Sequence, residues 1–260
     1  MLKIIKYSFF DLIRSSWSYV YLLFYLALGF VLLFLNNDIS KSVITLMNII
    51  IVLTPLIATV FGIMYYYDSR EFVELLLAQP IKRSNIFLGQ YLGVSISLSM
   101  SLLLGLGIPF AFYGVLHSSA IWNFSMLIIT GVFLNFIFVA LAFNIALYNN
   151  NKIKGFSYVI LLWLFMAVIY DGVFLITLFV FKDYPLDKLS LAATMFNPID
   201  LSRILILLKL DISALMGYTG AIFRDFFGTM RGVLISLLTL TLWIIIPTWN
   251  IYRKSAKKDF

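Results

Sequence analysis

The sequence predicts an all-α integral membrane protein with six transmembrane helices. The first observation is composition: the 260 residues are 62% hydrophobic and 12% charged, with a mean hydropathy of +1.01. Soluble domains carry about twice that share of charge, so a single soluble globular domain is excluded. The second is that the apolar residues gather in runs of the length a bilayer needs, about 20 residues per helix. The third is that these runs are continuous rather than alternating, which selects helices over barrel strands.

Residues 1–16 come first. Lys3, Lys6, Tyr7 and Arg14 fall on one helical face, and Ile5, Phe9, Leu12 and Ile13 on another, with Phe10 blurring the division. This predicts an amphipathic helix in the membrane interface. A cleaved signal peptide is not expected, because the apolar run that follows is too long and lacks a small-x-small site after Leu35. That run, 17–35, is the first span, and 43–67 is the second. Residues 84–151 carry no charge and are too long for one span. They break around His117-Ser118-Ser119, giving spans at 85–113 and 123–148. The fifth span is 155–181 and holds one acid, Asp171. The sixth is 232–252, followed by a basic tail at 253–260. The whole of 1–260 is read as one transmembrane domain.

Six spans put both ends on one side. The short segments there hold twelve of the nineteen Lys and Arg, whereas the two short loops opposite hold only Lys41. That bias predicts cytoplasmic termini. It also accounts for the net charge of +7 without a nucleic-acid partner. The absence of cysteine removes disulfides, thiolate metal sites and a Cys nucleophile.

Residues 68–83 place six charged side chains between two uncharged runs. Asp68 is expected to cap a helix, with Glu71 completing a box. Arg70 and Glu74 are spaced to pair, and Phe72, Leu75, Leu76 and Gln79 to share a face. Pro80 is expected to end the helix and Ser84 to cap the next span. One reading is an interfacial loop helix with a solvated charged face. The other is a coupling helix that docks in a groove of a cytoplasmic motor, with an apolar ridge for area and charges for register.

The stretch Glu74-Leu-Leu-Leu-Ala-Gln-Pro-Ile-Lys-Arg-Ser-Asn-Ile-Phe-Leu-Gly89 resembles the E-x-L-L-x-x-P-x-x-R-x-x-x-x-x-G pattern of ABC-2 type transporter permeases. Within them, Leu75-Leu76-Leu77 followed by Gln79-Pro80 is most similar to the nitrous-oxide reductase maturation permeases of the NosY type. The resemblance implies a homodimer in a bacterial inner membrane, with a separate NosF-like ATPase beneath. ATP and magnesium are then expected on that partner and no cofactor on this chain, which has no G-x-x-x-x-G-K-[ST]. The coupling residues would be Arg70, Glu71, Phe72, Glu74, Leu75, Leu76, Gln79, Pro80, Lys82 and Arg83. The resemblance further implies a periplasmic NosD-like β-helix protein, a copper chaperone reached through it, and a role in copper-site maturation. The alternative within the fold is export of a drug, a lipid or a gliding-motility component.

Residues 182–231 mix six basic and five acidic residues with apolar runs. They are expected as amphipathic outer helices: a lid over spans five and six, or a docking platform whose contacts would be Asn197, Asp200, Tyr218, Phe223 and Phe226. Residues 200–216 are too short and charged to span, and are either re-entrant or interfacial. Asp171, mid-span, costs about 3 kcal/mol if it faces lipid. It is expected to meet protein or water, with Asn135, Asn144 and Thr177 as polar neighbours. Gly105-Leu-Gly107 is expected to permit close helix packing near Pro109. Met47, Met64, Met100, Met126 and Met166 form no metal-binding pair and His117 stands alone, so no metal site is expected. Nor do paired carboxylates or clustered His support the third possibility, an intramembrane enzyme.

Overall fold

The apolar runs form helices, and their polar flanks extend them. In a computed structural model describing residues 1–36, 39–118, 120–181, 186–209 and 229–256, the chain is helical throughout, with no strand among the described residues. α1 is Leu2–Arg14, α2 Ser16–Asn36, α3 Ile39–Asp68, α4 Arg70–Leu77, α5 Arg83–Phe112 and α6 Ile121–Tyr148. α7 is Lys152–Val180, with a π turn at Phe165–Ile169. α8 is Asp187–Phe196, α9 Pro198–Lys209 and α10 Met230–Ser255. Six of these, α2, α3, α5, α6, α7 and α10, are long and apolar enough to cross a membrane. Each predicted span is present, but α3 starts four residues before 43 and α5 two before 85, and α10 exceeds 232–252 by two residues at its start and three at its end. Charged ends such as Lys152, Arg83 and Arg253 continue a helix because its backbone bonds are internal wherever the side chain points.

α3 and α6 form the centre, and α5 packs against both. Phe87, Tyr91, Leu102, Leu134, Phe138 and Phe143 fill the space between them. Lipid is as apolar as leucine, so association rests on van der Waals fit rather than on removal from water. α5 achieves that fit with small residues at four-residue spacing. A Cβ at Gly89 would lie 2.8 Å from Ile4 Cγ2, and one at Gly93 2.6 Å from Ser8 Cβ. One at Gly105 would lie 2.7 Å from Tyr25 Cβ. The expectation for Gly105 is met. At Gly107, by contrast, a Cβ would meet nothing within 4 Å, so that residue plays no part in the packing.

α1 is therefore clamped onto α5 by protein. Its most buried stripe is Ile4, Ser8 and Leu12, rather than the predicted Ile5, Phe9, Leu12 and Ile13. The small Ser8 faces inward because Gly93 lets the two backbones approach, which a search for apolar residues cannot see.

α7 differs from its neighbours. Only 11% of its apolar window is buried, against 50% for α3 and 61% for α5 and α6, so it hangs on the edge of the bundle. α8 and α9 meet at a 114° bend and enter the bundle. Asn197 Nδ2 donates to Met166 O at 2.8 Å, and Trp243 Nε1 to Met195 O at 3.2 Å. Met166 and Trp243 are both near the middle of their spans, so the bend sits at mid-depth as a re-entrant hairpin. Residues 210–216, and the rest of the outer segment to 228, lie outside the described residues.

Candidate functional site

Two arrangements carry the polar chemistry. One lies at the basic end of the bundle, where α1, α4, the α6–α7 turn and the end of α10 gather. The other lies at mid-depth.

At the basic end, α3 passes into α4 through Ser69. The expected cap does not form: Asp68 is the last residue of α3, and Ser69, which stands at the cap position, makes no side-chain cap bond. Asp68 instead binds Lys152 Nζ at 2.6 Å, tying the corner to the start of α7. Tyr67 OH donates to Asn149 O at 2.7 Å, and Gly155 is required beneath it because a Cβ there would overlap the Tyr67 ring. Gln90 Nε2 donates to Ser69 Oγ at 2.9 Å, which fixes the corner to α5. Asn151 caps α7, its Oδ1 accepting from the backbone N–H groups of Ile153 and Lys154. Three spans thus converge on one corner through hydrogen bonds.

α4 ends at Leu77, three residues before Pro80, where the sequence predicts an end nearer the proline. The cap position before α5 is Lys82 rather than Ser84, which is buried within the helix. The predicted Arg70–Glu74 pair forms at 3.1 Å. Both side chains are about half exposed, so it contributes only a few tenths of a kcal/mol. The predicted shared face divides. Phe72 and Leu76 are half-buried and Val73 is fully packed, whereas Leu75 is 69% exposed and Gln79 projects into the open. Glu71, Glu74, Pro80, Lys82 and Arg83 are exposed as well.

Tyr7, on the basic face of α1, stacks its ring on Phe72 at 4.3 Å. α1 and α4 therefore present one continuous surface, with Lys3, Lys6 and Arg14 on one part and Glu71, Glu74 and Leu75 on the other. A cleft of about 230 Å³ opens beside it between α1 and α3, with Asp11, Ser15, Tyr65 and Asp68 in its walls.

The mid-depth arrangement grows from the α8–α9 bend. Asn197 caps α9, its Oδ1 accepting from Ile199 N–H at 3.1 Å, and Pro198 follows as the first helical residue, where its missing N–H costs nothing. In the π turn of α7, Tyr170 N–H reaches back five residues to Phe165 O, and the neighbouring Met166 carbonyl receives Asn197. Tyr170 OH adds a bond to Ala193 O at 2.6 Å. Asp171 then faces the hairpin, and Arg203 Nη1 meets its Oδ2 at 2.6 Å and Asp200 Oδ1 at 3.4 Å. Asn197 Nδ2 also donates to Asp200 Oδ2 at 2.9 Å.

The polar neighbours expected for Asp171 lie elsewhere. Asn144 donates to Ala140 O and Pro247 O, and Thr177 to Val173 O. Asn135 is fully buried beside Tyr21, near the Tyr25–Thr54 hydrogen bond of 2.8 Å. Asn197 and Asp200, expected as outer contacts, are 1% and 8% exposed and hold the hairpin from inside. Tyr218, Phe223 and Phe226 lie outside the described residues. Arg203 is absent from the sequence-based expectation; the signal for it is a cation three residues after Asp200, followed by the apolar run 204–208. Among the described residues no group of three or more His, Cys, Asp or Glu could hold a metal ion.

No family model matches the sequence. The chain is similar to a protein of Stutzerimonas stutzeri named probable ABC transporter permease protein NosY, with 25% identity over 225 residues, covering 82% of this chain and 76% of that one.

Proposed function

We propose that the chain is the membrane-spanning permease subunit of an ABC transporter, and that α4 receives a separate cytoplasmic ATPase. The observation that carries this reading is the corner itself. A two-turn helix is tied by Asp68–Lys152, Tyr67–Asn149 and Gln90–Ser69 to three spans, so a push on α4 reaches α3, α5 and α7 without loss in a slack loop. Leu75 supplies an exposed apolar anchor, and the surrounding charges set register. α1 belongs to the same surface through the Tyr7–Phe72 stack. In this reading the basic end faces the cytoplasm, both termini lie there, and two copies of the chain stand above two ATPases.

The similarity to a NosY protein favours work on a periplasmic NosD-like partner during copper-site maturation of nitrous oxide reductase. No residue of this chain needs to touch copper in that scheme. Whether the ATPase binds is tested by co-purification from a membrane that holds both proteins. Glu74→Arg, or deletion of 75–79, releases the ATPase while the six spans still insert. An ATPase retained at unchanged affinity by both variants would falsify the assignment of α4.

A further inference from the structure

A groove of about 880 Å³ runs along α10, walled by α6 on one side and α8 on the other. Its volume falls within the range of small-molecule sites. Leu242, Ile246 and Trp249 line it with more than half of each side chain exposed, and Phe196 stands at its rim. At one end the Trp243 indole closes on Met195 O. At the other, Asn250 Nδ2 donates to Asn144 Oδ1 at 2.7 Å, and Asn144 donates to the Pro247 carbonyl. One turn beyond Asn250, on the same face, Arg253 is exposed. Lys254 beside it lies 2.9 Å from the centre of the Tyr148 ring. From Thr239 to Arg253 the helix rises about 21 Å, the reach of one extended acyl chain.

We infer that this groove holds an anionic glycerophospholipid of the leaflet at the basic end, its acyl chain along Leu242 and Ile246 and its phosphate at Arg253. Two features select this occupant. The walls lie at membrane depth, where only a lipid or another span can enter. The open end carries an Arg and an amide pair at the level of the phosphates, the arrangement that favours anionic headgroups over zwitterionic ones. The inference stands apart from ATPase coupling and holds whether or not α4 docks a motor.

Trp243 and Trp249 report on the site directly. The full chain is placed in phosphatidylcholine vesicles containing increasing fractions of brominated phosphatidylglycerol or brominated phosphatidylcholine. The groove signal is the tryptophan emission lost in Trp249→Phe. Its half-quenching is expected at about fivefold lower mole fraction of the anionic lipid. Arg253→Gln, an exposed change that leaves the fold intact, is expected to remove that preference. Equal quenching by the two lipids, or a preference untouched by Arg253→Gln, overturns the proposal. So does protection from both lipids together with disulfide-linked dimers of Phe196→Cys, which would give the groove to a second copy of the chain.

Discussion

Asp171 and Arg203 show what a charge at mid-depth requires. Their side chains are 27% and 29% exposed, and the contact is 2.6 Å. A part-desolvated pair of this kind contributes little beyond an apolar replacement, but removing one member strands the other. Arg203 serves two carboxylates, so the loss is uneven. Arg203→Ala leaves Asp171 and Asp200 facing each other and is expected to cost about 3 kcal/mol. Asp171→Asn, which keeps a hydrogen-bond acceptor, should cost about 1 kcal/mol. The double variant Asp171→Asn with Arg203→Ala is expected to recover part of the loss, a coupling read from thermal unfolding of the three variants and the unmodified protein in detergent. Strict additivity would mean that the contact carries no weight. At this scale the sequence showed that Asp171 needs a partner but not which one. Asn135, Asn144 and Thr177 lie on spans predicted correctly, yet Asn144 and Thr177 bond to nearby carbonyls and Asn135 is buried beside Tyr21, away from Asp171. Arg203 arrives only because the chain folds back into the membrane.

Among the elements, the six spans were legible because a bilayer imposes one length and one polarity. Helix ends were not. Asp68 and Ser84 satisfy the pattern of a cap, but capping is decided by backbone geometry at one residue, and tertiary partners took Asp68 away. The docking of α1 was half legible: its amphipathic period was visible, but its register depends on Gly89 and Gly93, each 85 residues beyond the residue it meets, Ile4 and Ser8. That register is testable. Gly93→Val forces Ser8 and the backbone of α1 outward, because a Cβ there would also lie 3.1 Å from Ile5 O. It is expected to destabilise by about 2 kcal/mol, within the range for overpacking, and to expose residues 1–14 to protease. Gly107→Ala on the same helix meets open space and is expected to be neutral or slightly stabilising, since alanine is the better helix former. If both variants behave alike, the close approach of α1 is not what holds it.

For the whole molecule, α7 joins the two polar sites. Its first residue, Lys152, holds the corner beneath α4, and its π turn and Asp171 hold the re-entrant hairpin at mid-depth. Little of the helix is buried between those points, so its two ends can move together while the α3–α5–α6 core stays packed. On the proposed function, displacement of α4 would tilt α7 and draw on the hairpin through Asn197 and Arg203. Because the chain lacks cysteine, that link can be tested with a single engineered pair. Met166→Cys with Asn197→Cys, joined by a short bis-methanethiosulfonate that links them through two reducible disulfides, ties the hairpin to α7 where they already touch. In the assembled complex the tie is expected to leave the ATPase bound and to lower its turnover several-fold, with recovery on reduction. Turnover unchanged by a complete cross-link would show that the hairpin rides passively with α7, and the path from α4 would have to run through the central helices instead.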